Sequence, residues 1–216
     1  MVSGVNRLIF AFSLVALGSL TWLAPACGSD NASPTNVGNN DAGNECAAFE
    51  TKKVPGACEV TTQGYSIAGR NHIPEGTPVT YCSNPPSSGD HYPVWANFQE
   101  YTTPVPWPYL VHDLEHGAVL LLYKCDASTD ASAGCPEVVD QLRSIRNAAA
   151  VDPSCDTGVK RIIIAPSPTI PTKIAASAWG YTYQADCLDE PTLTAFVHDN
   201  YAKGPEDICA AGRTTF

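Results

Sequence analysis

Apolar residues recur at helical spacing in two segments of the C-terminal half of the chain. The first segment runs from Pro136 to Ala150, where Pro136 suits a first helical turn and Asp152-Pro153 ends the pattern. The second begins after Asp189, which we expect to cap the helix, and closes near Gly204. The apolar stripes are Val138, Val139, Leu142, Ile145 and Ala149 in the first segment, and Leu193, Phe196, Val197 and Tyr201 in the second. Both stripes predict amphipathic helices that bury one side.

Apolar runs bounded by turn residues predict three strands in the same half of the chain. They span Ala118 to Lys124, Val159 to Ala165, and Lys173 to Gln184. With the helices they give the order strand, helix, strand, strand, helix. This order predicts an α+β fold in a single domain, with a small sheet and helices on one face. The same order occurs in the C-terminal part of thioredoxin-like folds, which are therefore a candidate by analogy.

The N-terminal third of the folded part lacks this periodicity. Residues Lys52 to Tyr81 are polar and rich in turn residues, with short extended pieces predicted at Glu59–Thr62 and Val79–Tyr81. Prolines then recur from Pro85 to Pro108, and they exclude a long helix or a central strand. We therefore expect an irregular, Pro-rich N-terminal third whose loops form a fixed surface scaffold for site residues.

Residues 1–26 have the pattern of a secretory signal peptide, in which Arg7 precedes an apolar run from Leu8 to Leu23. The sequence that follows, from Leu23 to Cys27, resembles a bacterial lipobox, in which the cysteine is acylated. A lipid on Cys27 would anchor the protein to a membrane facing the periplasm or the outside, whereas cleavage alone would give a secreted protein. Residues 27–45 are rich in Gly, Asn, Ser and Asp, which predicts a flexible tether before one globular domain at 46–216.

Composition narrows the classes of partner and the compartment. The chain carries 22 acidic against 12 basic residues, which argues against nucleic-acid binding through clusters of Lys and Arg. If Cys27 is lipidated, an even number of cysteines remains, which predicts a disulfide-stapled domain exported to the bacterial cell envelope. These are Cys46, Cys58, Cys82, Cys125, Cys135, Cys155, Cys187 and Cys209. Spacing leaves their connectivity open, although short loops favour Cys46 with Cys58 and Cys125 with Cys135. No C-x-x-C motif occurs, so we expect neither a thioredoxin-type redox centre nor a zinc ribbon.

Candidate chemistry is concentrated between Asn84 and Tyr123, which contains His91, His112 and His116. His112 and His116 have the i, i+4 spacing that lets two imidazoles on a helix share one metal ion. An extended backbone would also bring both to one face, so the two alternatives permit the same site.

Two motifs in this region resemble a known family. One is P-P-x-S-G-x-H and the other V-H-x-L-E-H-G; their residues are Pro85, Pro86, Ser88, Gly89 and His91, then Val111, His112, Leu114, Glu115, His116 and Gly117. With His72-Ile73-Pro74 upstream and Gly204-Pro205-Glu206 downstream, they resemble the bacterial domain of unknown function 3105 family over residues 63–207. The chain departs from that pattern at Ser87, Asp90, Asp113 and Ala118. The family carries no assigned activity, so the resemblance supports the fold unit and the site without implying a function.

The histidines of these motifs predict a metal site. Beside His112 and His116 we expect His91 as the third ligand and His72 as a possible fourth. Imidazole ligation fits copper(II) or zinc, and a thioether site for copper(I) is excluded because Met1 is the only methionine. The alternative is that these histidines are hydrogen-bonded structural groups. We expect His198, on the last helix, to face solvent.

Glu115 has several alternative roles, so the sequence leaves the function open. It can be a ligand, a salt-bridge partner or, as we favour, an acceptor for the N–H of a ligating imidazole. The H-x-x-E-H pattern formed by His112, Glu115 and His116 is also that of inverted zinc peptidases, where Glu115 would be the base. Glu206 could cap the same cavity, but we favour a role in a turn. The sequence thus predicts metal handling or a structural metal, with a metal-dependent hydrolase or a non-catalytic envelope interaction module as alternatives. It does not identify a protein partner.

Overall fold

A computed structural model describes residues 47–125 and 135–216 of the chain. These residues all belong to one compact unit. The expected signal peptide (1–26), the acylated Cys27 and the tether (27–45) lie outside the described residues, as does Cys46. None of the described helices is long and apolar enough to cross a membrane.

The described residues form one mixed sheet of six strands and three helices. The strands are β1 (Ala48–Val54), β2 (Val60–Tyr65), β3 (Val119–Tyr123), β4 (Ile162–Pro166), β5 (Ile174–Ala178) and β6 (Tyr181–Ala185), and the helices are α1 (Trp107–Glu115), α2 (Pro136–Ala148) and α3 (Glu190–Asn200). The sheet has the order β1-β2-β6-β5-β3-β4. Only β3 and β4 are parallel, and every other neighbouring pair is antiparallel. The prediction of a single α+β domain with a small sheet is confirmed.

Both helices predicted from periodicity are confirmed. Helix α2 begins at Pro136, and it buries Val139, Leu142 and Ile145. Helix α3 begins after Asp189, whose side chain accepts a hydrogen bond from the backbone N–H of Thr192 as an N-cap should. These two helices cover one face of the sheet, as the sequence predicts, and their core includes strand residues such as Leu121 and Ile164.

The opposite face of the sheet is covered by α1 and the Pro-rich segment that precedes it. Successive strand residues point to opposite faces, so Leu120 and Ile163 pack here, beside Leu110 and Leu114 of α1. Strand β3 is fully buried because both of its faces are covered. The sheet is therefore the middle layer between two helices on one side and the site-bearing segment on the other.

Three details of the strand prediction are wrong. Residues Lys173 to Gln184 form two strands rather than one, because Gly180, with a φ of +78°, turns the chain back and pairs Ala178 with Tyr181. The extended piece at Val79–Tyr81 is not a strand, whereas the piece near Glu59 is the start of β2. Strand β1, which pairs with β2, has no counterpart in the prediction.

Three disulfides join described residues, in the pairs Cys58–Cys187, Cys125–Cys135 and Cys155–Cys209. Cys82 is disulfide-bonded as well. The predicted pair of Cys125 with Cys135 is confirmed. The predicted pair of Cys46 with Cys58 is wrong, because pairing of β2 with β6 brings Cys58 to Cys187. Such bonds limit the entropy of the unfolded chain and indicate an oxidising, extracytoplasmic environment.

Candidate metal centre

Helix α1 carries the histidines of the second motif, and prolines determine where it begins. Pro106 is its N-cap and Pro108 lies in the first turn, where the missing N–H has no helical partner to lose. The helix ends at Glu115, and Gly117 follows with a φ of +81°, which glycine adopts at little cost. Of the two backbones that the sequence allows, the protein thus adopts the helix. Every residue from Tyr109 to Glu115 is buried, so the polar side chains among them need partners inside the protein.

Four side chains from three segments converge on one point. One potential ligand atom from each of His72, His91, His112 and Glu115 lies within 4.8 Å of the others. Glu115 Oε2 lies 2.9 Å from His91 Nε2 and 3.9 Å from His72 Nε2. Three of the four residues are buried, and His72 forms the exposed side of the group. This cluster, which we call the His₃Glu group, brings together three of the four histidines that the sequence predicts as ligands.

Backbone carbonyls set the tautomers of the two buried imidazoles in this group. The Nδ1 atom of His91 lies 2.9 Å from the carbonyl oxygen of Gly89, and that of His112 lies 2.6 Å from the carbonyl oxygen of Tyr92. Each Nδ1 must donate, because a carbonyl oxygen can only accept. Burial lowers the pKa of His112 to about 4, so this imidazole is neutral at pH 7 and its Nε2 carries a lone pair. Imidazoles that bind metal ions commonly donate their other ring N–H to a carbonyl oxygen in this way.

Two polar atoms of the group are buried without a hydrogen bond. They are Nε2 of His91 and Oε1 of Glu115. When His91 is neutral and its Nδ1 carries the proton, its Nε2 and the carboxylate of Glu115 are two acceptors facing each other at 2.9 Å. Such a pair is unfavourable unless a proton or a metal cation lies between the two atoms.

His91, at the end of the first motif, lies beside His72 of the upstream segment. The residues around them pair as a short parallel bridge, in which His91 N–H donates to Asn71 and Ile73 N–H donates to His91. Gly89 has a φ of +134°, and a Cβ on it would lie 2.9 Å from the ring of Tyr81. A side chain at this position is therefore excluded both by conformation and by space.

The G-P-E motif is packed against the end of α1. A Cβ on Gly204 would lie 2.2 Å from both the carbonyl oxygen of Glu115 and the nitrogen of Gly117. The backbone N–H of Glu206 donates to the carbonyl of Glu115 at 3.0 Å, which satisfies one of the free carbonyls at the helix end. Only glycine permits this approach, and the result is that the Glu206 side chain reaches the site. The sequence pattern favours a turn role for Glu206.

His116 lies beside the His₃Glu group but outside it. Its ring packs against the rings of His112 and Trp95, with centroid distances of 4.5 and 4.7 Å. Its Nε2 is 3.5 Å from Oε2 of Glu206, and burial lowers its pKa to about 4. Ligation of a metal by His116 remains a prediction. His198, in contrast, is exposed on α3, as expected.

Arg70 is a site residue that sequence reasoning missed. Its guanidinium lies 3.0 Å from Oε1 of Glu115 and 3.6 Å from Oε1 of Glu206. A polar, turn-rich stretch gives no reason to single out one arginine. The available signal was its position two residues before His72, because alternate residues of an extended chain face the same side.

A buried arginine stabilises the C-terminal end of α1. Arg161 donates to the carbonyl oxygen of His116 at 2.8 Å, and it pairs with Asp152 and Asp207 at 2.5 and 2.6 Å. A cation at a helix C-terminus is favourable because the last carbonyls are partly negative. Asp207 directly follows Glu206, so the same network fixes the G-P-E segment to the helix.

The geometry also bears on the H-x-x-E-H pattern. In a peptidase of that type the two histidines hold the metal and the glutamate acts as a base. Here Glu115 lies among the possible ligands, whereas His116 faces Glu206. Helix α1 has nine residues, whereas the helix of such a peptidase should run several turns with amphipathic flanks.

Comparison with known proteins gives one result for this chain. Residues 72–211 match the family model described as protein of unknown function (DUF3105). Neither curated proteins nor solved structures gave a match. The thioredoxin-like analogy therefore remains a prediction. The matched region is more than half of the chain and contains every residue of the His₃Glu group; the protein is thus a member of the DUF3105 family.

Proposed function

We propose that this domain binds one transition-metal ion, zinc or copper(II), through His72, His91, His112 and Glu115. The observation that carries the proposal is the 2.9 Å contact between Glu115 Oε2 and the buried Nε2 of His91, which makes no hydrogen bond. A single proton would satisfy that pair alone. The approach of His72 and His112 to the same carboxylate favours a cation that takes four donors.

The spacing and the donor types suit these metals. Zinc lies about 2.0–2.1 Å from its nitrogen and oxygen ligands, so neighbouring donors of a tetrahedral site are about 3.3 Å apart. The atoms of the His₃Glu group lie within 4.8 Å of one another, and small side-chain rotations would bring them to that spacing. Three imidazoles and a carboxylate suit zinc or copper(II), whereas copper(I) prefers sulfur. Each described cysteine is disulfide-bonded, so thiolate is not available there.

The role that we infer is metal handling or a structural metal centre in an exported protein of the bacterial cell envelope. Residues 1–26 would direct export, and a lipid on Cys27 would hold the domain at a membrane surface. The disulfides agree with an oxidising compartment.

Equilibrium dialysis of the oxidised, untagged protein against Zn²⁺ and against Cu²⁺ tests this function. We expect one ion per chain, and we expect His91→Ala to weaken binding by more than about 100-fold, since it removes a buried ligand and leaves Glu115 unmatched. His112→Ala is the second ligand variant, and His198→Ala is the matched control because that histidine is exposed. Binding by both ligand variants at the affinity of the parent would contradict the proposal and favour a non-catalytic interaction module.

A further inference from the structure

The His₃Glu group has one solvent-facing side, and a single short stretch of chain supplies most of it. The side chains of Arg70 and His72 are 53% and 49% exposed, whereas those of Glu115 and His91 are 2% and 0% exposed. Glu206, 34% exposed, completes this side through its contact with Arg70. We call Arg70, His72 and Glu206 the outer face of the site.

The backbone beneath the outer face is held firmly. The N–H of Ala68 donates to Ser88 Oγ and that of Asn71 donates to Asp90 Oδ1, both at 3.0 Å. Gly69, with a φ of +114°, lies against the Asp90 carboxylate, where a Cβ would come within 2.8 Å. Arg70 and His72 can therefore change position by rotating their side chains, without opening of the loop.

His72 is the least constrained donor of the group. The buried rings of His91 and His112 are each fixed by a carbonyl oxygen. Within the described part of the chain, the ring nitrogens of His72 make no hydrogen bond, and their one ion-pair contact is with Glu115 Oε2 at 3.9 Å. A ligand that is half exposed, and whose ring no hydrogen bond fixes, can dissociate from a metal ion while the other three ligands keep the ion bound.

Arg70 lies where its positive charge would repel a cation bound to Glu115. Its guanidinium is 3.0 Å from Glu115 Oε1, yet that oxygen makes no hydrogen bond, so the contact is an ion pair without directional support. A divalent ion on Oε2 of the same carboxylate would lie within a few ångströms of the arginine charge. Like charges at that separation repel, and burial of Glu115 strengthens the effect.

We propose, on the basis of the function inferred above, that the site is built to exchange its metal through the outer face, with Arg70 competing against the ion for Glu115 and His72 acting as the exchangeable ligand. Release then has a defined order. His72 gives way to a donor of the acceptor molecule, the ion leaves the buried donors, and Arg70 neutralises the carboxylate that remains. The cargo is a divalent transition-metal ion, and the acceptor is a molecule that supplies nitrogen or oxygen donors.

Zinc affinity and the rate of zinc transfer to the chromophoric chelator 4-(2-pyridylazo)resorcinol test this inference. Arg70→Gln should bind zinc about tenfold more tightly and release it more slowly, because the competing charge is gone. Arg70→Lys keeps the charge and should behave like the parent. Arg143→Gln is the matched control, since Arg143 is a partly exposed arginine paired with a glutamate, Glu100. His72→Ala should still bind zinc, but should release it about tenfold faster than the parent, whereas His91→Ala loses binding.

The outcomes separate this inference from the function on which it rests. No zinc on the parent protein would refute the metal site itself. If the parent binds zinc and Arg70→Gln binds it equally or more weakly, Arg70 is not a competitor and the exchange mechanism is wrong. A His72→Ala variant that releases zinc at the parent rate, or that cannot bind it, would also overturn the mechanism. Thermal unfolding of each metal-free variant checks that the fold is intact.

Discussion

The two faces of the sheet bury very different side chains. The face under α2 and α3 is an apolar core, to which these helices contribute side chains such as Leu142, Ile145 and Leu193. The face under α1 also has an apolar core, but helix α1 and its flanks add five buried ionisable or charged groups. They are His91, His112, Asp113, Glu115 and His116.

The difference assigns separate tasks to the two faces. Burying an ionisable group without full pairing lowers stability, so the second face does not gain stability from these residues. The fold is stabilised by the apolar face, the disulfides and strand β3, which is covered on both sides. The protein can therefore tolerate the loss of stability that the buried ionisable groups cause. A cluster of buried ionisable groups is a candidate for a functional site. Changes on the two faces should therefore have different consequences.

A matched pair of leucines gives the largest expected effect. Leu142 on α2 and Leu114 on α1 are both fully buried, on opposite faces. Truncation of either to alanine should lower the free energy of unfolding by about 2–5 kcal/mol, because each leaves a cavity. Only Leu114→Ala should also weaken zinc binding, since it loosens the helix that carries His112 and Glu115. Urea unfolding and zinc titration measure the two effects, and an equal loss of zinc affinity in both variants would remove the distinction between the faces.

Metal removal should change stability only through the site on the face under α1. At free zinc about 100 times above the dissociation constant, binding adds about 2.7 kcal/mol to the stability of the native state. Chelation should therefore lower the unfolding temperature of the parent and of His198→Ala by the same amount. It should leave the unfolding temperature of His91→Ala unchanged. A parent protein that is indifferent to exhaustive chelation would favour histidines with a purely structural role.

Acid should destabilise the metal-free protein through two buried histidines. Burial lowers the pKa of His112 and of His116 from 6.5 to about 4 in the native state. Between these values the unfolded chain binds more protons than the native one, so stability present above pH 6.5 is lost as the pH falls toward 4. We expect about 2 kcal/mol for each of the two histidines between pH 7 and pH 5. Urea unfolding of His112→Gln/His116→Gln should show a smaller slope with pH; an unchanged slope would contradict the assignment.

Asp113 should show a smaller effect of opposite sign. Burial raises the pKa of this carboxyl well above 3.8, and one of its oxygens accepts from the N–H of Ala96 while the other makes no hydrogen bond. The unfolded chain releases the proton near pH 3.8 whereas the native chain keeps it, so stability is lost as the pH rises above that value. Asp113→Asn removes the ionisation, and it should raise the free energy of unfolding at pH 7 by on the order of 1 kcal/mol. A less stable variant would contradict this prediction.

The apolar face could be predicted from the sequence because its elements have a period. Helices α2 and α3 have apolar stripes with clear start and stop signals, and β3 is a continuous apolar run. The pattern predicts one strand where β5 and β6 form a hairpin, because Gly180 is the only glycine or proline between Lys173 and Gln184. Strand β1 lies at the edge of the sheet with most of its side chains exposed, so it has no apolar alternation to detect.

The site could be predicted only in part, for a different reason. His91 and His112 stand in recognisable motifs, and both are in the His₃Glu group. The closeness of Glu115 to His91, and the presence of Arg70, depend on contacts between segments far apart in the chain. The pair Cys58–Cys187 has the same origin, because it follows from the pairing of β2 with β6. Local spacing carries no information about such contacts.

Elemental analysis of the untagged protein, purified from an oxidising compartment, tests the central claim most directly. We predict zinc or copper near one ion per chain in the parent and in His198→Ala, and no bound ion in His91→Ala. Absence of metal from the parent, even after reconstitution with both ions, would contradict the account and return His91 and Glu115 to a proton-linked structural pair.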